Sequence, residues 1–214
     1  MSPETEPARR RTQDERRTAT RQAILEAATD RLVEGGLDAV TIAGVAKSAG
    51  LSTGAVVHHF ENKLQLILAL TTHLSSASKD AVIESADPDL PIEQRVASMI
   101  QTIMEAVFDP RTRAQFELHT AARVDPAFAE ELIKLNARNA EVYVADFAAA
   151  LLEAQVEPQR VLAAMELSVC AAVGVSLLSM SGRDPAIEDR LAQTLEAHIL
   201  AEVALAQADG TIRA

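Results

Sequence analysis

Apolar residues recur at three- and four-residue intervals along most of the chain, which is the period of an α-helix with one buried face. All eight prolines fall outside the interiors of these periodic segments, and Pro110, Pro126, Pro158 and Pro185 each follow an acidic residue just where a segment begins. An acidic residue before proline is typical of a helix start, because the carboxylate caps the helix and proline suits its first turn. No segment is a convincing strand. The pattern predicts an all-α protein of about nine helices, near residues 17–34, 41–48, 53–59, 62–86, 91–108, 111–123, 126–154, 158–180 and 185–207.

The composition favours the same fold class and narrows the function. Aromatic residues make up only 3% of the 214 residues, whereas strands are usually rich in them. The single Cys170 excludes a disulfide framework, and its apolar helix predicts a buried, inert thiol. The first twenty residues hold five arginines and no apolar core, and the longest uncharged run, Leu167 to Gly182, is too short for a bilayer span. We therefore expect a cytoplasmic protein without a membrane partner.

The charge is unevenly distributed along the chain. Its net value is −11, yet residues 1–63 contain nine basic and nine acidic side chains, so residues 64–214 carry the whole excess. Between Pro7 and Ile24 six arginines face only two acidic residues. A basic arm (1–16) on an acidic body indicates that only the N-terminal end approaches a polyanion, although a solvated arm without a partner would give the same pattern.

Residues 17–63 predict a helix-turn-helix. A glycine pair at 35–36 ends the first helix, and Thr41 can cap the second. Gly50 permits a tight turn, after which Ser52 can cap a third, short helix. Two short helices joined in this way are typical of a protein that reads the major groove of DNA.

The third helix has the composition expected of the reading helix. Val56 and Phe60 lie four residues apart and should point inward together. Small and polar residues then point outward, where a groove wall is close and base edges offer hydrogen bonds. These outward residues are Thr53, Gly54, Val57 and His58.

Several features occur in a fixed order from Ile24 to Leu66. In that order they are Ile24-Leu25-x-Ala27-Ala28, Gly36, Thr41-Ile42-x-x-Val45-Ala46, Ala49-Gly50-Leu51-Ser52, His59-Phe60 and Lys63-x-x-Leu66. The run resembles the DNA-binding domain of the TetR family of bacterial regulators. The resemblance implies phosphate contacts from Thr41, Ser52, His59 and Lys63, and contacts to base edges from Thr53, Gly54, Ala55, Val57 and His58. It also implies a larger helical domain (64–214) that binds an effector and dimerises.

One position departs from the resemblance. The family often has Tyr where this chain has Val57. Val57 lacks the phenol that would contact a phosphate or base, but it can pack against a thymine methyl group. His59 could instead pack under Phe60, Lys63 could be solvated, and Arg9–Arg11 could either enter a minor groove or stay in solution.

Neither a metal site nor an enzyme is expected. The adjacent His58 and His59 point about 100° apart on a helix, and no further ligand follows at metal-binding spacing. No phosphate-binding glycine loop and no nucleophile elbow occur, and no cofactor is implied.

The middle of the larger domain holds most of the bulky, adaptable side chains, which suit an irregular apolar ligand. His119, Tyr143 and Glu117 could orient such a ligand. The same stripe could be plain core. The candidate ligand-binding residues are Met99, Ile103, Met104, Phe108, Phe116, His119, Tyr143, Phe147 and Met165.

The last two predicted helices, 158–180 and 185–207, are rich in small residues and amphipathic, which predicts a homodimer interface. The sequence therefore predicts a homodimeric repressor that binds a palindromic operator on double-stranded DNA and is released by a small molecule. Activation instead of repression stays open, because the sequence does not place the operator relative to a promoter. Two alternatives stay open. One is a DNA-binding regulator without an effector; the other is a ligand- or partner-binding protein whose reading helix is vestigial.

Overall fold

A computed structural model describes residues 12–151, 158–179 and 182–210. Within these ranges it describes the backbone alone for residues 140–151, 158–162, 165 and 206–210. Within these ranges the chain forms helices and no strand, which confirms the predicted all-α class. All nine predicted helices are present there. They are α1 (Gln13–Ala39), α2 (Ile42–Ser48), α3 (Thr53–His59), α4 (Lys63–Glu84), α5 (Ile92–Ala106), α6 (Pro110–Ala122), α7 (Pro126–Leu151), α8 (Pro158–Leu178) and α9 (Pro185–Gly210).

Helix α1 begins four residues before the expected position. Thr12 and Glu15 form a capping box, in which the Thr12 hydroxyl accepts from the Glu15 amide at 3.2 Å and the Thr12 amide donates to the Glu15 carboxylate at 2.7 Å. The helix leaves helical geometry at the glycine pair 35–36, where Gly36 has a φ of 66°. The sequence predicted that the helix ends at this glycine pair, and only one more helical turn follows it.

The four acid–proline steps that were predicted to start helices do so, at Pro110, Pro126, Pro158 and Pro185. Aspartate carboxylates accept the first free amides of three of these helices at 2.7 to 3.0 Å. These caps are Asp109, Asp125 and Asp184. Glu157, the fourth acidic residue, lies outside the described residues.

The chain divides into two compact units, Met1–Leu70 and Thr71–Ala214. In the first, α2 packs against both α1 and α3. Arg31 links the middle of α1 to the ends of both α1 and α2, because its Nε donates to the Ala39 carbonyl at 2.7 Å and its guanidinium reaches Ser48 Oγ at 3.5 Å. The core of this unit includes Ile24, Leu25, Ala28, Leu32, Val40, Val45, Val56 and Phe60.

In the second unit, α5, α8 and α9 pack against one another, and α7 packs against α6 and α8. Their shared core includes Val96, Met99, Ile100, Ile103, Met104, Ala172, Leu195 and Ile199. The buried Ser176 hydroxyl donates to the Val107 carbonyl at 2.6 Å and so links α8 to the end of α5. Among the described helices, none has a stretch long and apolar enough to cross a bilayer.

Cys170 corrects one expectation. The sequence predicted a buried thiol, but Cys170 is exposed on α8. Helix α8 is apolar around most of its circumference, so its composition does not distinguish the packed face from the outward one.

Candidate DNA-binding face and ligand cavity

Two buried side chains fix the orientation of α3. Val56 and Phe60 lie in the core of the first unit, as their spacing predicts. The opposite face is open, and Val57 is 43% exposed there. Thr53, Gly54 and His58 are exposed on the same helix, whereas Ala55 is half-buried. The geometry expected of a reading helix is therefore present, and base contact by these residues stays a prediction.

The turn before α3 is closed by a Schellman motif. Gly50 has a φ of 66°, its amide donates to the Lys47 carbonyl at 3.3 Å, and the Leu51 amide donates to the Ala46 carbonyl at 2.9 Å. These bonds satisfy the last carbonyls of α2 and turn the chain sharply into α3.

Two candidate phosphate ligands cap the helices of this motif. Thr41 Oγ1 accepts from the Gly44 amide at 3.0 Å, and Ser52 Oγ accepts from the Ala55 amide at 3.1 Å. A hydroxyl that accepts one hydrogen bond still has its O–H to donate. Both side chains can therefore cap a helix and bind a phosphate oxygen at once.

Positive charge surrounds His59, the third phosphate candidate. The pKa of His59 is lowered, first by partial burial of its ring and then by the nearby charges of His58, Arg17 and Arg21. The Arg21 guanidinium lies 5.1 Å from the centre of the Phe60 ring. Arg17 and Arg21 were not among the predicted contacts, and the only sequence signal for them was the positive charge between Pro7 and Ile24.

Lys63 is exposed at the start of α4, where its Nζ lies 3.5 Å from the Leu37 carbonyl. This long hydrogen bond leaves the ammonium directed to solvent, as a phosphate ligand requires. Arg9–Arg11, which could enter a minor groove, lie outside the described residues.

A cavity of about 530 Å³ lies among α4, α5, α6 and α8 of the second unit. This volume is within the range of small-molecule sites. Apolar side chains from α5 and α8 form much of its wall, and polar side chains of α4 and α6 form another part. The lining residues are Ser75, Ser78, Lys79, Val82, Ile103, Ala106, Val107, Thr112, Gln115, Phe116, His119, Thr120, Val169, Val173 and Leu177.

The cavity includes some of the predicted ligand-binding residues and not others. Ile103, Phe116 and His119 line it. Met99 and Met104 lie in the core cluster instead, and Phe108 packs against that cluster. None of these three lines the cavity, and their role in binding stays a prediction. The side chains of the other candidates, Tyr143, Phe147 and Met165, lie outside the described residues.

Polar lining residues were missed because polar positions on a helix usually face solvent. Ser75, Ser78 and Lys79 share one face of α4 with Val82, and Gln115 lies opposite on α6. The Gln115 amide donates to Ser75 Oγ at 2.6 Å across the cavity wall. His119 borders the cavity, and partial burial of its ring lowers its pKa. Glu117 is exposed and does not line the cavity.

The helices α8 and α9 each expose a face composed mainly of small and apolar residues, with Arg190 and Thr194 as polar members on α9. Leu167 and Leu178 lie on the outward face of α8, where Leu178 is 78% exposed. A Cβ added at Gly174, between them, would meet nothing within 4 Å. On α9 the outward face follows helical spacing and consists of Ile187, Arg190, Thr194, Ala197, Ala201 and Leu205.

Known proteins are similar to this chain in sequence and in fold. Residues 24–70 match the family of bacterial regulatory proteins called the tetR family. The uncharacterized HTH-type transcriptional regulator TtgW of Pseudomonas putida is 32% identical over 100 residues, which are 46% of this chain and 71% of TtgW. The chain belongs to the TetR family. The resemblance on which the sequence analysis depended is thereby confirmed.

Other members of the TetR family extend the comparison. The HTH-type transcriptional regulator TtgR, also of Pseudomonas putida, is 36% identical over 49% of this chain and 50% of its own length. The chain thus spans only about half the length of several curated relatives that it matches. A TetR-family structure from Streptomyces coelicolor A3 has a TM-score of 0.61 and 22% identity, covering 84% of this chain and 98% of that one. The predicted N-terminal helix-turn-helix followed by a larger helical domain is therefore the fold of this chain.

Proposed function

We propose that the chain is a transcriptional repressor that binds a palindromic operator on double-stranded DNA as a homodimer. A small molecule in the cavity of the second unit releases it from the operator. Its relatives are HTH-type transcriptional regulators, and the bacterial cytoplasm is where such a protein would meet its DNA.

One observation carries the DNA-binding part of this proposal. The face of α3 that Val56 and Phe60 leave exposed is flanked by cationic side chains of α1 and by the two capping hydroxyls. The exposed side chains of α3 would contact base edges in the major groove, and the flanking groups would contact phosphates. Positive charge at this end lets a protein of net charge −11 approach DNA with one surface only.

The dimer part is supported by the outward faces of α8 and α9. One short reading helix contacts too few base pairs for tight binding, so two copies that read a palindrome are expected. The apolar side chains on these two faces would be buried between subunits, and the small residues would let the helices approach closely. Four helices, two from each subunit, would form the interface.

The effector part is supported by the cavity and by the course of α4. This helix begins at Lys63 in the first unit, and its residues from Ser75 to Val82 line the cavity in the second. A ligand that favours one position of α4 would change the separation of the two reading helices, which must be about 34–36 Å for consecutive major grooves. Effector and operator would then weaken each other's binding by the same factor.

The first test is selection of bound duplexes from a random library, followed by a salt titration on the selected sequence. We expect a palindrome whose affinity falls steeply with salt, because several phosphate contacts release counterions. Arg17→Gln should reduce the slope by about two for the dimer, since each subunit loses one phosphate contact. Arg111→Gln, on α6 of the second unit, is the matched control and should leave the slope unchanged.

Failure to enrich any duplex at low salt would contradict the proposal. That outcome would favour the alternative of a ligand- or partner-binding protein with a vestigial reading helix, for which Val57 in place of the family's usual Tyr is the supporting observation. A palindrome whose binding does not respond to occupation of the cavity would favour a regulator without an effector.

A further inference from the structure

Gly44 lies inside α2, a helix of only seven residues, where glycine is unfavourable. Glycine loses more backbone freedom in a helix than alanine does, and it contributes no side chain to packing. Its backbone does not require glycine either, because Gly36 and Gly50 have a positive φ and Gly44 does not. The reason for glycine at this position must therefore lie in the space beside it.

The guanidinium of Arg31 occupies that space. A Cβ added at Gly44 would come within 2.7 Å of Arg31 Cζ, Nε and Nη2, which is closer than Cβ atoms pack in proteins. Equal distances to three atoms of a planar group mean that the added methyl would meet its face. The Arg31 guanidinium therefore lies flat against the bare Cα of Gly44, where a side chain would displace it.

The hydrogen bonds of Arg31 hold the junction between α1 and α2. Its Nε donates at 2.7 Å to the Ala39 carbonyl, which also accepts from the Thr41 amide at 3.0 Å. Its Nη1 lies 3.5 Å from Ser48 Oγ, at the other end of α2. The glycine pair 35–36, where α1 leaves helical geometry, lies between Arg31 and Ala39. One side chain thus spans this break and reaches both ends of α2.

The position of α2 decides where the candidate DNA contacts lie. Thr41, a candidate phosphate ligand, caps α2 directly after the junction. Helix α3, which carries the candidate base contacts, packs against α2. Arg17 and Arg21 are on α1, before the break. A rotation of α2 relative to α1 would therefore move the base contacts and Thr41 away from the cationic side chains that accompany them.

From these contacts we infer that Arg31 and Gly44 form a positioning pair, which fixes α2 and the reading helix behind it against α1. The inference rests on the proposed function of the first unit as the operator-binding unit. Arg31 acts through Thr41 and α3 and does not itself contact a phosphate. Gly44 acts by leaving room for the guanidinium.

Thermal unfolding of single and double variants, followed by circular dichroism without DNA, tests the contact. Gly44→Ala should lower the Tm by about 2–4 °C, because the methyl displaces the guanidinium from the Ala39 carbonyl. In the Arg31→Ala background the same change should raise the Tm, because alanine is then only the better helix former. Arg31→Gln is the second background should Arg31→Ala not fold.

The matched control is Ala43→Gly, the reverse exchange at the exposed neighbouring position of α2. It should lower the Tm equally in both backgrounds, since residue 43 does not adjoin the guanidinium. An effect of Gly44→Ala that is likewise equal in both backgrounds would overturn the inference.

Operator binding, measured at a temperature where every variant keeps its helicity, tests the positioning role. Gly44→Ala and Arg31→Ala should each weaken binding about tenfold, and the double variant should bind no more weakly than either one. The salt slope should stay unchanged in all three, because no phosphate contact is lost. A hundredfold loss in the double variant, unchanged affinity in Gly44→Ala, or a slope reduced by about two in Arg31→Ala would each overturn the role.

The unfolding assay contains no DNA, so its failure is distinguishable from failure of the proposed function. A chain that binds its selected operator but shows additive effects on the Tm would remain a regulator without this positioning pair. A chain that shows the reversed effect of Gly44→Ala but binds no duplex would keep the contact and lose both the proposed function and the positioning role.

Discussion

Gly50 and Gly54 lie four residues apart but in different backbone conformations. Gly50 has a φ of 66° in the turn before α3, whereas Gly54 lies within the helix, where an added Cβ would come no closer than 3.9 Å to Ser52 Oγ. A side chain in the left-handed region costs about 1–2 kcal/mol, and Ala in a helix is favoured over Gly by up to about 1 kcal/mol. The two residues therefore serve different purposes in one motif.

We expect Gly50→Ala to lower the free energy of unfolding by about 1–2 kcal/mol. Gly54→Ala should leave it unchanged or slightly raised, while the added methyl weakens operator binding by about tenfold. The chain has no Trp, so urea denaturation is followed by circular dichroism, and operator affinity by anisotropy of a labelled duplex. Equal stability of the two variants would contradict the assignment.

The surroundings of His59 predict that a fall in pH lowers the stability of the fold but raises operator affinity. Its folded-state pKa is lowered, mainly by burial, so the folded chain binds fewer protons than the unfolded chain. The neutral His59 ring therefore contributes its full stability above the unfolded pKa of about 6.5. That contribution is lost as the pH falls through the lower, folded-state pKa. A phosphate beside the ring would favour its protonated form, so operator affinity should rise as pH falls from about 8 to about 6.

The variant His59→Gln should flatten both pH profiles. Thermal unfolding measured from about pH 7 to about pH 5 tests the first effect, because that stability is lost below the unfolded pKa of about 6.5. Operator titrations between about pH 8 and about pH 6 at constant ionic strength test the second effect. His119→Gln, in the second unit, should leave the pH dependence of operator affinity as it was. An affinity profile that His59→Gln does not alter would leave His59 as a packing residue beneath Phe60.

At the scale of helices, the two buried serines of α8, Ser168 and Ser176, should differ in how much their hydroxyls stabilise the fold. Ser176 Oγ donates to the Val107 carbonyl on another segment, whereas Ser168 Oγ donates to Ala164 within α8. Ser176→Ala leaves the Val107 carbonyl without this donor and should lower the free energy of unfolding by about 1–3 kcal/mol. Ser168→Ala is the matched control and should cost less, since its acceptor already belongs to the helix ladder. A larger loss in Ser168→Ala would contradict this account.

The positions of helix starts were predictable because capping is local. Asp109 and Asp125 act through amides two or three residues away, and the sequence contains the whole interaction. The capping box of Thr12 and Glu15 was equally visible as Thr-x-x-Glu, although the prediction started the helix at residue 17.

Faces of helices in the larger unit were harder to predict from sequence. Met99 and Met104 are of a residue type that suits a ligand site, but they pack in the core. Lys79 is of a type that usually faces solvent, but it lines the cavity. Which side of a helix borders a cavity depends on how four helices meet, and the sequence of one helix does not contain that information. In the first unit the prediction of inward and outward residues succeeded, because the four-residue spacing of Val56 and Phe60 places both on one side of the short α3.

At the scale of the whole molecule, the proposed binding of a palindromic operator requires the proposed dimer. Ala197→Glu places a charge at the centre of the outward face of α9, and burial of an unpaired carboxylate between subunits should dissociate the dimer. We expect a monomer of about 23 kDa in sedimentation equilibrium and loss of palindrome binding, with helicity unchanged. Ala127→Glu, exposed at the start of α7 outside both faces, is the control and should stay dimeric and bind. If Ala197→Glu remained a dimer that bound the operator, the subunits would have to meet through another surface.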